Sequence, residues 1–124
     1  MDRYKETTQM LGRFQPWHEG HTALFERAIS KTGQVVILLR EQDGTDKNPF
    51  TFEQRKTQII DELKKAGYEY NISYEIINVP NITHITYGRD VGYKIEQEHF
   101  DKDIEDISAT KIREKLLDEN SDTR

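Results

Sequence analysis

Five apolar residues in a row, Val35 to Leu39, stand between two stretches with helical periodicity. A short, unbroken apolar run of this kind reads as a strand covered on both faces, as in a parallel sheet flanked by helices. Upstream, from Gly20 to about Thr32, Leu24, Phe25, Ala28 and Ile29 recur at three- and four-residue steps. Gly33 follows where a left-handed helix end belongs. Downstream, Glu41–Phe50 is a polar loop. Thr51 then opens a second helix, with Gln54 completing a capping box, an inner face of Phe52, Ile59, Ile60 and Leu63, and an end at Gly67. Thr8–Phe14 reads as a first strand halted by Pro16, which has no N–H for a ladder. Tyr70–Val79 alternates and is β-branched, so it reads as a third strand. His84–Tyr87 and Gln97–Phe100 read as shorter strands, and Ala109 to Asp118 as a final helix.

This order predicts an α/β fold, a compact Rossmann-like parallel sheet with helices on both faces and right-handed crossovers. Only about four residues separate Val79 from the strand expected near Thr83, whereas a parallel crossover takes roughly a dozen. A turn or one bent strand is therefore expected there. Ligands of such sheets bind beyond the carboxyl ends of the strands, which points to the segments after Phe14 and Arg40 and to the approach to Ser108.

The 124 residues make one domain, 1–124, with 1–8 and 118–124 expected to fray. Eighteen Lys and Arg against 23 Asp and Glu leave a net charge of −5, which argues against a nucleic-acid-coating role. With no cysteine, disulfides, thiolate metal sites and a Cys nucleophile are excluded. The opening MDRYKETT has no apolar leader pattern, and no apolar stretch is long enough to span a bilayer, so a cytoplasmic protein without membrane contact is expected. A sheet this small gains by pairing, which favours a homodimer.

Two segments carry the chemistry. Gly12 to His21, GRFQPWHEGH, joins the first strand to the first helix and is neither a Walker A loop nor a GxGxxG fingerprint. His18 and His21 stand three apart at the start of a helix, where N–H groups and the helix dipole attract phosphate. Imidazoles there should have depressed pKa values, staying neutral while donating a hydrogen bond. Gly20 lets backbone approach an anion closely. Zinc ligation of the HExxH type needs a four-residue spacing, so no metal-ligating residues are assigned. The second segment, Ile107 to Glu114, starts the last helix with Lys111 and Arg113 in its first turn. Cations there oppose the helix dipole by about 0.3–1 kcal/mol each. A bound polyphosphate reverses that sign, with Ser108 and Thr110 as hydroxyl donors. Arg40, Lys47 and Arg55, with Arg13, gather cations near the strand ends and suit a polyanion. Asp90 is expected to face the site from its strand-end position.

These two segments together resemble the nucleotidylyltransferase superfamily, with its HxGH and ISxTxxR motifs about ninety residues apart. The GRFQP lead-in and Asn48 to Arg55, NPFTFEQR, look most like the nicotinamide-nucleotide adenylyltransferase branch. The short length is nearer the glycerol-3-phosphate cytidylyltransferase branch. The resemblance implies in-line attack of a phosphorylated acceptor on the α-phosphorus of an NTP (ATP or CTP), without a covalent intermediate, and release of pyrophosphate. It places His18, His21 and Arg113 in catalysis, and Gly12, Arg13, Phe14, Gln15, Gly20, Ser108, Thr110 and Lys111 around the nucleotide. Mg²⁺ is expected to arrive with the NTP. Gln15 stands where some relatives carry Asp, Leu39-Arg40-Glu41 replaces a Gly-Ser type turn, and one crossover helix is expected to be missing. A binding module without turnover is the alternative from another class.

Overall fold

A computed structural model describes residues 1–41, 48–89 and 92–100. The chain runs β1 (Thr8–Gly12), α1 (Glu19–Thr32), β2 (Val35–Arg40), α2 (Phe52–Lys65) and β3 (Tyr74–Val79). The three strands form one parallel sheet in the order β1-β2-β3. Met10, Ile37 and Ile76 lie side by side across it.

The pleat divides the sheet into two unequal faces. Met10, Val35, Ile37, Leu39, Tyr74 and Ile76 are buried in one cluster with Phe25 and Ala28 of α1 and Ile59 and Leu63 of α2. Both helices therefore cover the same face, as two right-handed crossovers progressing in one direction require. Leu11, Val36, Leu38 and Ile77 on the other face are half-exposed. Helices on both faces were expected; the described residues place two on one face, and the final helix read at 109–118 lies outside them.

Local signals set the helix ends. Gly33 closes α1 at φ 83°, with its N–H on Ile29 O at 2.7 Å. Thr51 and Gln54 form the expected reciprocal cap of α2. Beyond α2, Gly67 at φ 98° lets its own N–H reach Lys64 O and that of Tyr68 reach Leu63 O, at 3.0 and 2.9 Å.

Strand ends depart more from expectation. β1 stops at Gly12, because Phe14 takes a left-handed φ of 49° and turns the chain out of the sheet. The third strand begins at Tyr74 rather than Tyr70. Asn71, at φ 66°, donates its N–H to Tyr74 O at 2.8 Å in a turn that reads as strand by alternation alone. His84–Tyr87 and Gln97–Phe100 are not strands: from Pro80 to Phe100 the described residues form neither strand nor helix. A strand needs a neighbour to complete its ladder, and among the described residues neither segment pairs with β1, β2 or β3. The first residues, expected to fray, are tethered. The buried Gln34 amide donates to Asp2 O and Thr7 Oγ1 at 2.6 and 2.7 Å, and the Met1 ammonium donates to Asn71 O at 2.6 Å. No helix among the described residues is long and apolar enough to cross a membrane.

Candidate active site

At the carboxyl end of β1 the chain makes a tight turn into α1, and aromatic packing fixes its course. A Cβ on Gly12 would lie 2.9 Å from the Phe14 ring, so only glycine lets that ring fold back over the strand end. Phe14 and Trp17 are buried with ring centroids 5.0 Å apart, and the edge of Phe14 meets His21 at 4.8 Å. The Trp17 indole N–H donates to Thr22 Oγ1 at 2.8 Å, so this side chain is part of the core beneath the turn.

His18 is the N-cap of α1, and its Nδ1 accepts the Gly20 N–H at 3.0 Å. His21 Nδ1 accepts the His18 N–H at 3.1 Å. Each ring thus uses Nδ1 as an acceptor, which leaves Nε2 to carry the proton in the neutral imidazole. The rings stack at 3.7 Å with 21° between their planes. Burial holds His18 below the ordinary histidine pKa, with Glu19 opposing. Burial, and then the neighbouring His18, push His21 down to about 3. The result is a pair of neutral N–H donors in register on the first turn of a helix, suited to phosphate oxygens.

Around this pair, two buried polar side chains bind main chain. Gln15, 3 % exposed, donates through Nε2 to Phe50 O at 3.0 Å and accepts the Phe50 N–H at 2.9 Å. Arg55, 2 % exposed, donates to Arg13 O at 2.8 Å and Arg40 O at 3.1 Å, and its Nε donates to Thr51 O at 3.3 Å. One guanidinium thus ties the carboxyl ends of β1 and β2 to the start of α2. Burial lowers the Arg55 pKa, against which the Glu41 carboxylate 3.6 Å away acts. Through these bonds the side chains of Gln15 and Arg55 hold the walls of the site.

Arg13 remains half-buried at the rim, with one guanidinium N–H on Asn48 Oδ1 at 3.3 Å. Arg40 donates to Ile82 O at 3.2 Å and so fastens the segment beyond β3 to the sheet end. The structure therefore brings Gly12 to His21, Arg40, Asn48 and Arg55 to one edge. Lys47, Asp90, Ser108, Thr110, Lys111 and Arg113 lie outside the described residues. Among the described residues no three His, Asp or Glu side chains come together as a metal cage. Gln58 escaped the sequence reading: its amide meets the main chain of Trp17, and no motif marks it. Its spacing of three from Arg55, toward the same loop, is the signal that was there to be used.

A parallel α/β sheet whose carboxyl edge carries paired neutral imidazoles at a helix start defines a Rossmann-like, phosphate-handling domain. Residues 10–115 match the family model described as cytidylyltransferase-like, and the chain belongs to that family of nucleotidyltransferases. It is 31% identical to the nicotinamide-nucleotide adenylyltransferase of Pyrococcus horikoshii, covering 86% of this chain and 70% of that protein. It is 34% identical to the protein of the same name from Thermococcus onnurineus, covering 87% and 71%.

Proposed function

We propose that this chain transfers the AMP unit of ATP to nicotinamide mononucleotide and releases pyrophosphate. The observation that carries the reading is the imidazole pair, both Nδ1 atoms occupied by backbone N–H groups and both Nε2–H groups left as donors. The relatives' shared name supplies the substrates.

A phosphate monoester has a second pKa near ~6, so the acceptor is largely dianionic at neutral pH and needs no base. One of its oxygens attacks the α-phosphorus in line. A P–O bond forms there as the bond to the α–β bridging oxygen breaks, and pyrophosphate leaves with those electrons. His18 and His21 donate to the phosphate oxygens that gain charge in between, so catalysis is alignment and charge stabilisation. Ser108, Thr110, Lys111 and Arg113 receive the β- and γ-phosphates, while Gly12, Phe14 and Gly20 bring main chain close to the nucleotide. Arg13 adds its charge on the nucleotide side, and Lys47 serves the acceptor side. Mg²⁺ enters as part of the ATP substrate, and the enzyme works in the cytoplasm as a homodimer that binds no nucleic acid.

The test is a matrix of four NTPs against a panel of phosphorylated acceptors, read as pyrophosphate. ATP with nicotinamide mononucleotide should give the highest kcat/KM. CTP with a small alcohol phosphate in first place would replace this substrate pair, and silence in every cell would leave a nucleotide-binding module without turnover.

A further inference from the structure

Trp17, the residue immediately before the N-cap histidine, has both of its main-chain polar groups held by a single side chain. Gln58 Oε1 accepts the Trp17 N–H at 3.0 Å, and Gln58 Nε2 donates to Trp17 O at 3.3 Å. Gln58 lies in α2, between Arg55 and the apolar positions Ile59 and Ile60. From this geometry we infer that Gln58 is a positioning residue for the imidazole pair: its amide clasps the Trp17 main chain and so sets where the first turn of α1 begins.

The linkage runs through few parts. The clasp fixes Trp17 by two directional bonds, as a neighbouring strand would. Trp17 is covalently joined to His18, whose N–H is the group that orients the His21 ring at 3.1 Å. Trp17 is 3 % exposed, so water cannot readily replace a lost partner on its N–H or C=O. An apolar side chain at 58 would leave both groups unpaired, and the cheapest relief is a shift of the turn that carries His18. Gln15 grips Phe50, just ahead of the α2 cap, by the same two-point device, so one amide reaches from the turn towards α2 and the other from α2 to the turn. Catalytic geometry tolerates little misplacement, because a shift of about 1 Å can cost about 100-fold in rate.

This inference rests on the adenylyl-transfer reading for its kinetic arm only. The full chain is compared with Gln58→Leu, which keeps bulk and loses both bonds, and Gln58→Glu, which keeps the acceptor and loses the donor. Two measurements are made: ¹⁵N-detected NMR of the histidine rings, and steady-state pyrophosphate release with ATP and nicotinamide mononucleotide. Expected for Gln58→Leu are tautomer averaging at His21 and a kcat lowered about 10- to 100-fold, with both KM values within threefold. Fixed Nε2–H tautomers with unchanged kcat in both variants would overturn the inference, even if Tm falls, since that is the signature of a stability role alone. If Gln58→Leu does not fold, Gln58→Glu decides by the same two readouts. A wild-type chain releasing no pyrophosphate would count against the substrate reading, and the ring spectra alone would then judge Gln58.

Discussion

The turn between β1 and α1 and the described residues from Pro80 to Phe100 are both irregular backbone beside α1, yet they are held by opposite means. The turn is buried under Phe14 and Trp17 and tied by directional bonds from Gln15, Arg55 and Gln58. The later segment is largely exposed, with Ile85, Tyr87, Tyr93 and Ile95 each more than 60 % accessible. Its described ties to α1 are charged: Lys31 to Glu96 and Glu98, Arg27 to Glu98, and Arg27 over the Phe100 ring at 4.9 Å. Bonds from buried amides keep their strength in salt, whereas exposed ion pairs are screened and contribute little. Irregular backbone can therefore be as preorganised as a helix when its carbonyls and N–H groups are answered individually.

Four changes put the difference between the two segments to the test. The largest effect is expected from His18→Ala, which removes a donor at the reacting phosphate and should lower kcat by roughly 10²–10³. Steady-state kinetics check it, and activity within threefold of wild type would remove His18 from the chemistry. Next is Arg55→Met, which leaves the carbonyls of Arg13 and Arg40 without their charged donor and should cost about 2–4 kcal/mol in urea unfolding. A loss below about 1 kcal/mol would mean that the strand ends are held by something else.

The third change is pH. The folded His21 pKa of about 3 lies below the ordinary 6.5, so between these values the unfolded chain binds more protons. Stability should fall as pH drops from about 6.5 towards 3, and His21→Gln should flatten that acid limb. Equal slopes in urea midpoints at pH 7 and 4.5 would contradict the depressed value. The smallest effect belongs to Glu98→Gln. It should lower Tm slightly in dilute buffer and not at all at about 1 M salt, where the screening length is roughly 3 Å. A loss that survives salt would place this segment with the buried turn.

What could be read from the chain follows the range of each interaction. Gly33, Thr51 and Gln54 were legible because a helix end is decided within four residues. The parallel sheet was legible because alternating strand and helix patterns leave few topologies. The start of β3 was not, since Asn71 can turn the chain without disturbing the alternation around it. The strands expected at 84–87 and 97–100 failed because pairing depends on a distant partner that local pattern does not report. In the site, the two histidines were marked by their spacing. The occupation of Gln15 and Arg55 by main-chain carbonyls, and the clasp of Gln58, were hidden because every residue offers the same backbone acceptor.

The most direct test is a pH titration of the histidine rings by ¹⁵N NMR, with and without MgATP. Both rings should titrate below the ordinary 6.5, His21 near 3, carrying the proton on Nε2 while neutral, and both should shift when nucleotide is added. A His18 or His21 ring that titrates at 6.5 or above, or that ignores saturating MgATP, would contradict the assignment of this pair to the phosphates.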